Sequence, residues 1–251
     1  MLNEQTLEKL KQLRLAAMAT AWTEQQRQAD VTPLSFDERF GLLVDAEWLQ
    51  RENRRLQRSL KEAKLKLSAA CVEDIDYAPR RELDRAVIRQ LASCLWVQEH
   101  HNIVISGMTG TGKTYLACAL AQQALRKGYR ALYRRAPRLF DELALARADG
   151  SYARLLAKLA RTDVLVIDDW GIATVREQDR RDFLEVLDDR YATRSTVLTS
   201  QVPPAKWHDY LGDPSCADAI CDRILHNAHR LMLKGPSRRK VELEHKPDNN
   251  H

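Results

Sequence analysis

Residues Gly107, Met108, Thr109, Gly110, Thr111, Gly112, Lys113 and Thr114 spell G-x-x-x-x-G-K-T, the pattern of a loop that wraps polyphosphate. Glycines let successive backbone N–H groups converge on phosphate oxygens, and the N-terminus of a following helix adds the positive end of its dipole. Lys113 is placed to reach β- and γ-phosphates, and the Thr114 hydroxyl to ligate Mg²⁺. Downstream, Val164-Leu-Val-Ile runs into Asp168-Asp169. An apolar strand ending in two acids at a phosphate site presents the first, Asp168, to the Mg²⁺ shell. It leaves the second, Asp169, to polarise an attacking water. A third run, Ser195-Thr-Val-Leu-Thr-Ser-Gln201, ends in polar residues, of which Thr199, Ser200 or Gln201 could hold that water or sense the γ-phosphate. Beyond it, Arg223 lies on an amphipathic stretch and could act across a subunit boundary on a neighbour's γ-phosphate.

These residues need strands to present them. Ile103-Val-Ile precedes the phosphate loop and a helix-forming run follows it. The pattern then predicts strands over 129–134, 164–167, 195–199 and 230–234, with helices over 139–147, 152–159, 179–191, 206–211 and 217–227. Such alternation implies an α/β fold with a parallel sheet covered by helices on both faces. A strand between the phosphate loop and the paired acids points to the P-loop division that has an extra strand and a catalytic acid. Ring ATPases and recombination motors belong there; GTPases and nucleotide kinases do not.

Upstream, residues 1–70 read as helices throughout, a small all-helical N-terminal domain. Leu7, Leu10, Leu13 and Ala17 mark one apolar face, Thr32-Pro33 interrupts the pattern, and Ser35-Phe-Asp-Glu38 is a capping box that starts the next helix. The pattern lapses over 71–81, the expected linker. The nucleotide-binding domain is expected over 82–240, opening with a helix over 82–97, and 241–251 reads as a polar, disordered tail.

Charge is unevenly distributed. Residues 1–80 hold thirteen basic and thirteen acidic side chains, yet 51–66 hold seven basic (Arg51, Arg54, Arg55, Arg58, Lys61, Lys64, Lys66) against two acidic. Leu49, Leu56, Leu60 and Leu67 form the apolar stripe of the same stretch. A basic amphipathic helix of this kind can serve as a rail for nucleic-acid phosphates, and Arg51, Arg54, Arg55, Arg58, Lys61 and Lys64 are the candidate contacts. Arg230, Lys234, Arg238, Arg239 and Lys240 make a second basic cluster. Only Trp48 accompanies the first, and single-strand binding generally wants more aromatic platforms. That favours duplex backbone contact.

Composition excludes other classes. The 251 residues are 44% hydrophobic and 30% charged, with no apolar run of about 18 residues to span a membrane and no signal-peptide block at the N-terminus. Cysteines 71, 94, 118, 216 and 221 lack a C-x-x-C pair, which argues against zinc or a disulfide framework and for a reducing, cytoplasmic setting. Cys94 and Cys118 read as core. His100-His101 lack further ligands at metal spacing. Trp170 reads as loop packing, and Trp207 and His208 as packing or capping residues.

The succession of motifs resembles the AAA+ ATPases, in particular the clade of replication initiators and helicase loaders, and within it the IstB family of helper ATPases for insertion-sequence transposition. The resemblance covers nearly the whole chain. It rests on Leu34-Ser-Phe-Asp-Glu-Arg-Phe-Gly, Glu47-Trp-Leu-Gln-Arg-Glu-Asn-Arg-Arg-Leu, Leu83-Asp-Arg-Ala-Val-Ile, the phosphate loop, Val166-Ile-Asp-Asp, Asp189-Arg-Tyr-Ala-Thr-Arg-Ser-Thr, Thr199-Ser-Gln and Asp222-Arg-Ile-Leu-His-Asn-Ala-His. The phosphate loop identifies only a superfamily; the N-terminal block points to the family.

The resemblance implies ATP and Mg²⁺ as cofactors, ATP-dependent homo-oligomerisation on double-stranded DNA with ATP at subunit interfaces, and communication with a cognate transposase. Lys113, Thr114 and Asp168 then bind ATP–Mg²⁺, Asp169 is the base, Gln201 stands at the first-sensor position and Arg223 at the finger position. The superfamily usually has Asn where Gln201 stands. It also usually has Asp-Glu where this chain has Asp-Asp, and the shorter base implies slow hydrolysis that suits an assembly switch. The sequence ends soon after the last strand, with no helical lid expected, and Arg238 or Arg239 is the candidate second sensor. Two other readings share parts of this picture. A DnaC-like replicative helicase loader has the same core but favours single strands. A small-molecule phosphotransferase would need a lid and an acceptor pocket.

Overall fold

A computed structural model describes residues 2–28, 33–78 and 82–237. It divides into two compact units, Met1–Arg58 and Ser59–His251. The division falls inside a helix, upstream of the 71–81 stretch where the sequence pattern lapses.

The smaller unit is helical: α1 (Leu2–Gln12), α2 (Ala16–Gln25) and most of α3 (Phe36–Ala63). The capping box opens α3, with the Ser35 amide donating to Glu38 Oε2 at 2.8 Å and the Glu38 amide to Ser35 Oγ at 3.3 Å. α2 has no such device of its own, since Leu15 at its N-cap offers no side-chain acceptor. Glu47 of α3 supplies it instead. Its buried carboxylate accepts from the amides of Ala17 (3.0 Å) and Met18 (3.2 Å) and from Arg51 Nε (2.8 Å). Burial pushes the Glu47 carboxyl up, but the Arg51 guanidinium and the two amides outweigh it and hold the pKa below its ordinary value.

Glu47→Ala is expected to destabilise the protein by about 1–2 kcal/mol, the usual cost of a lost N-terminal acceptor, and Glu47→Gln by less. Urea unfolding followed by circular dichroism measures both. The contribution of a depressed carboxyl is present above the ordinary glutamate range and lost as pH falls through the folded value. The difference between wild type and Glu47→Ala should therefore shrink in acid.

The helix predicted through residue 70 stops at Ala63. Lys64 adopts a left-handed conformation (φ 52°) and the chain continues without regular structure. Lys64, Lys66 and Leu67 are therefore not part of the amphipathic helix. A periodic stripe does not reveal where one residue turns left-handed and ends it.

The larger unit carries five parallel strands, β1 (Asn102–Gly107), β2 (Ala131–Arg135), β3 (Val164–Trp170), β4 (Ser195–Ser200) and β5 (Ala228–Leu233), in the order β2-β3-β4-β1-β5. α6 (Lys113–Arg126) packs on β1, β3 and β4, and α7 (Ala136–Ala148) on β2 and β3. α8 (Tyr152–Ala160), α9 (Glu177–Asp188), α10 (Trp207–Leu211) and α11 (Pro214–Leu225) complete the layers. The single helix expected over 82–97 is two, α4 (Arg85–Ala92) and α5 (Leu95–Gln98), because Cys94 is left-handed (φ 62°). Cys94 and Cys118 are buried, which pushes both thiols up to about 11.

Trp170 is not a loop residue. It ends β3 fully buried, stacked on Phe183 at 4.5 Å and edge-on to Trp207 and Tyr210. Trp207 is likewise buried, with its indole N–H donating to the Val202 carbonyl at 2.9 Å, and His208 pairs with Asp218. Arg190 is a buried cation held by the carbonyls of Leu159, Thr162 and Ser195; burial lowers its pKa to about 9. Its role is structural, tying the end of α8 to the start of β4.

Residues 59–78 belong with this unit. The Tyr115 hydroxyl donates to the Cys71 carbonyl at 3.3 Å, and Arg126 pairs with Glu73 at 2.8 Å.

Candidate nucleotide site

Strand order explains why the predicted residues meet. β4 lies between β1, which feeds the phosphate loop, and β3, which carries the acids, so residues at its C-terminal end can touch both. Gln201 accepts from Thr109 Oγ1 of the phosphate loop at 2.8 Å. Thr199 donates to Asp168 Oδ1 and accepts from the Asp169 amide at 3.1 Å. Ser200 is turned inward, donating to carbonyls of Trp170 and Val202. Of the three polar residues considered there, Gln201 faces the loop, Thr199 clamps the acids, and Ser200 is a packing residue.

The loop has the backbone its glycines permit. Gly107 (φ 150°) lies so close to β5 that a Cβ would stand 2.4 Å from the Leu233 carbonyl oxygen. Gly112 (φ 94°) makes the left-handed turn that opens α6. Lys113 is mostly buried, its Nζ donating to the carbonyls of Gly107 (2.7 Å) and Met108 (2.9 Å), so it braces the loop it serves.

Asp168 is fully buried yet well supplied with donors. Thr114 Oγ1 lies 3.0 Å from both carboxylate oxygens, and the Tyr133 hydroxyl donates to Oδ2 at 2.6 Å. Burial and the neighbouring carboxylate drive the Tyr133 phenol far up, so it acts as a hydrogen-bond donor only. Asp169 is left-handed (φ 62°), at the bulge between Ile167 and Trp170 in the β3–β4 pairing. A bulge re-aims a side chain, and here the Asp169 carboxylate meets Arg135 Nε at 2.8 Å.

Thr109, Gly110, Gly112, Lys113, Thr114, Asp169 and Gln201 line one cleft of about 650 Å³. Lys66, Leu67, Asp74, Tyr115, Arg135 and Ile172 complete its wall. A hydroxyl and a carboxylate presented together form the hard oxygen set that suits Mg²⁺, so Thr114 and Asp168 fit that ion.

Arg223 is not among the lining residues. It sits on α11, its Nε donating to Asp188 at 2.6 Å, with Asp222 at 3.8 Å. The Asn102 side chain fixes that part of α11, donating to the Arg223 carbonyl at 2.9 Å while accepting from the Thr196 amide.

The cations considered for DNA lie elsewhere in the chain, and Arg51, Arg54, Arg55, Arg58, Lys61 and Lys64 are all exposed. Arg51 is engaged with Glu47 and the Arg14 carbonyl, and Arg55 with Glu52 at 3.7 Å. In the second basic cluster Lys234 pairs with Glu82 at 2.7 Å. Arg238, Arg239 and Lys240, and with them the candidate second sensor, lie outside the described residues.

Sequence reasoning missed Tyr133, Arg135 and Lys66. Arg135 was within reach, because ligands of open α/β sheets gather at the carboxyl ends of strands and Arg135 ends β2 opposite Asp168. Nothing in the sequence marked Lys66, which reads as one more charge of a basic run.

A five-stranded parallel sheet in this order, with a phosphate loop on β1 and paired acids on β3, defines a P-loop nucleotide-binding fold of the AAA+ type. Similar folds among solved structures agree. AMPPCP-bound DnaA from Aquifex aeolicus matches at TM-score 0.57 and 20% identity, over 73% of this chain and 57% of that one. The DnaC helicase loader matches at 0.54 and 20%, over 66% and 97%.

The chain belongs to the family of IstB-like ATP binding proteins, whose model matches residues 8–245. A relative in Sinorhizobium fredii, bearing the name insertion sequence ATP-binding protein y4pL, is 47% identical over 96% of this chain and 98% of its own length. An insertion sequence IS1162 ATP-binding protein of Pseudomonas fluorescens is 51% identical over 81% and 88%.

Proposed function

We propose that this protein is an ATPase that assembles on duplex DNA and serves insertion-sequence transposition, regulating or recruiting a transposase and target DNA. The observation that carries the ATPase reading is the meeting of Thr114, Asp168, Asp169 and Gln201 at the carboxyl ends of three adjacent strands beside the phosphate loop. Family membership carries the transposition reading.

In this scheme the loop amides and Lys113 bind the β- and γ-phosphates of ATP, and Thr114 and Asp168 hold Mg²⁺. The ion, when bound, neutralises charge on the phosphoryl oxygens. Tyr133 and Thr199 orient Asp168 by donating to its two oxygens. Asp169 accepts the proton of a water positioned for in-line attack on the γ-phosphorus, and Gln201 orients that water. Arg223 completes a neighbour's site. Exposed cations of α3, chiefly Arg54, Arg58 and Lys61 on one face, contact DNA phosphates without reading bases.

Binding to long duplex and to single-stranded DNA, at two salt concentrations and with or without ATP, tests the reading. Duplex binding is expected to be cooperative, ATP-dependent and strongly weakened by salt, and Lys113→Ala should fall to the ATP-free level. Arg54→Ala/Arg58→Ala/Lys61→Ala should weaken binding to all duplex sequences alike and lower the salt dependence by about three ions at most. A single-strand preference would transfer the reading to a helicase loader, and no binding to either form would sink both.

A further inference from the structure

Asp168 has one partner that the proposed ATPase chemistry does not use. Lys66 Nζ stands 3.8 Å from Asp168 Oδ2, on the wall of the same cleft, with its side chain 38% exposed while Asp168 is fully buried. Lys66 is held there by its neighbours. Ala63, Leu65 and Ala70 are buried on either side of it, and, a few residues on, the Cys71 carbonyl accepts from the Tyr115 hydroxyl of α6 at 3.3 Å. The short segment after α3 is thus pinned to the core, and the ammonium group is delivered to the carboxylate from the solvent side.

A buried carboxylate needs a compensating cation, since removing it from water costs several kcal/mol. The hydroxyls of Thr114, Tyr133 and Thr199 supply hydrogen bonds but no charge. Lys113, the other lysine in the cleft, is turned to the carbonyls of Gly107 and Met108. Lys66 is the cation within ion-pair distance of Asp168 among the described residues. An ammonium and a divalent ion cannot both hold the same oxygen without strong like-charge repulsion.

We propose that Lys66 is a placeholder cation at the metal site: it holds Asp168 until Mg²⁺ arrives and must be displaced for the ion to bind. Lys66 thereby raises the metal concentration that nucleotide binding requires. It is a positioning residue for Asp168 and rests on the reading of Asp168 and Thr114 as the Mg²⁺ ligands.

Two measurements on the full chain test this, using Lys66→Met, which keeps the apolar stem, and Lys66→Arg, which keeps the charge. The first is binding of a fluorescent ATP analogue titrated with Mg²⁺. Lys66→Met should reach half-saturation at a Mg²⁺ concentration about two- to fivefold lower than wild type, the scale of one partly exposed ion pair, with Lys66→Arg near wild type. The second is thermal unfolding with Mg²⁺ and no nucleotide. Lys66→Met should melt lower than wild type in chelator and gain more than wild type from Mg²⁺.

An unchanged or raised Mg²⁺ midpoint, with the same Mg²⁺ gain in melting temperature as wild type, overturns the proposal. Weaker analogue binding at saturating Mg²⁺ with an unshifted midpoint would instead make Lys66 a nucleotide ligand, which also overturns it. If wild type binds no nucleotide at all, the ATPase reading fails, and the metal-only melting experiment still decides whether Lys66 competes for Asp168.

Discussion

Asp169→Asn is expected to abolish hydrolysis while ATP binding survives. The loss should be about 10²–10⁴-fold, the usual contribution of a positioned base, measured as steady-state phosphate release with DNA present. The left-handed backbone at Asp169 (φ 62°) is one that asparagine tolerates as well as aspartate, and the Asn side-chain oxygen can still accept from Arg135. Folding is therefore unaffected, and the deficit reports chemistry. Asp168→Asn should behave differently. It removes charge from the carboxylate that Thr114 meets at 3.0 Å, so its first deficit is in Mg²⁺-dependent binding rather than in turnover. If Asp169→Asn turned over at the wild-type rate, the base would have to be sought elsewhere in the cleft.

The pairing of Asp169 with Arg135 bears on the rate of the proposed hydrolysis. Asp169 is one methylene shorter than the glutamate usual at this place in the superfamily, and its carboxylate is engaged at 2.8 Å by Arg135. A base so held must share its lone pairs between the guanidinium and a water, in keeping with slow hydrolysis and an assembly switch. A single-turnover rate comparable to that of vigorous motors would contradict this.

How legible the site was depended on whether a residue's role is local. The phosphate loop is a contiguous backbone device, so eight residues specify it, and an apolar run ending in two acids specifies the next strand. Strand and helix alternation gave the fold class because each element buries a face with its own period. Trp170 packs as its sequence context implies, but in a strand rather than a loop, because the bulge carries β3 past the acids and no residue type announces a bulge. Lys66 and Tyr133 could not be seen at all. Their meeting with Asp168 depends on which strands are neighbours and on a left-handed turn at Lys64, and both are settled by tertiary packing. The basic run around residue 60 was thus read as one object, whereas Lys66 leaves it to join the nucleotide site.

Arg223→Ala should show that the site is shared between subunits. At concentrations and DNA loads where wild type assembles, hydrolysis is expected to fall about 10³-fold or more, as when a finger arginine is removed from other nucleotide hydrolases, with ATP binding retained. The guanidinium is held by Asp188 at 2.6 Å, in a pair with side chains 32% and 48% exposed. Losing such a pair costs only about 0–1 kcal/mol, and Asn102 anchors this part of α11 through the Arg223 carbonyl, which the substitution leaves in place. A structural defect therefore cannot account for a thousandfold loss. The decisive version mixes two inactive proteins. Lys113→Ala chains cannot hold ATP but carry an intact Arg223, and Arg223→Ala chains hold ATP but lack the finger. Mixed oligomers contain interfaces in which the second supplies the nucleotide and the first the arginine, so activity should reappear on mixing and vary with the ratio. A mixture no more active than the sum of its parts, or an Arg223→Ala protein that hydrolyses at the wild-type rate, would return Arg223 to the role its contacts describe, an ion pair tying α11 to the end of α9.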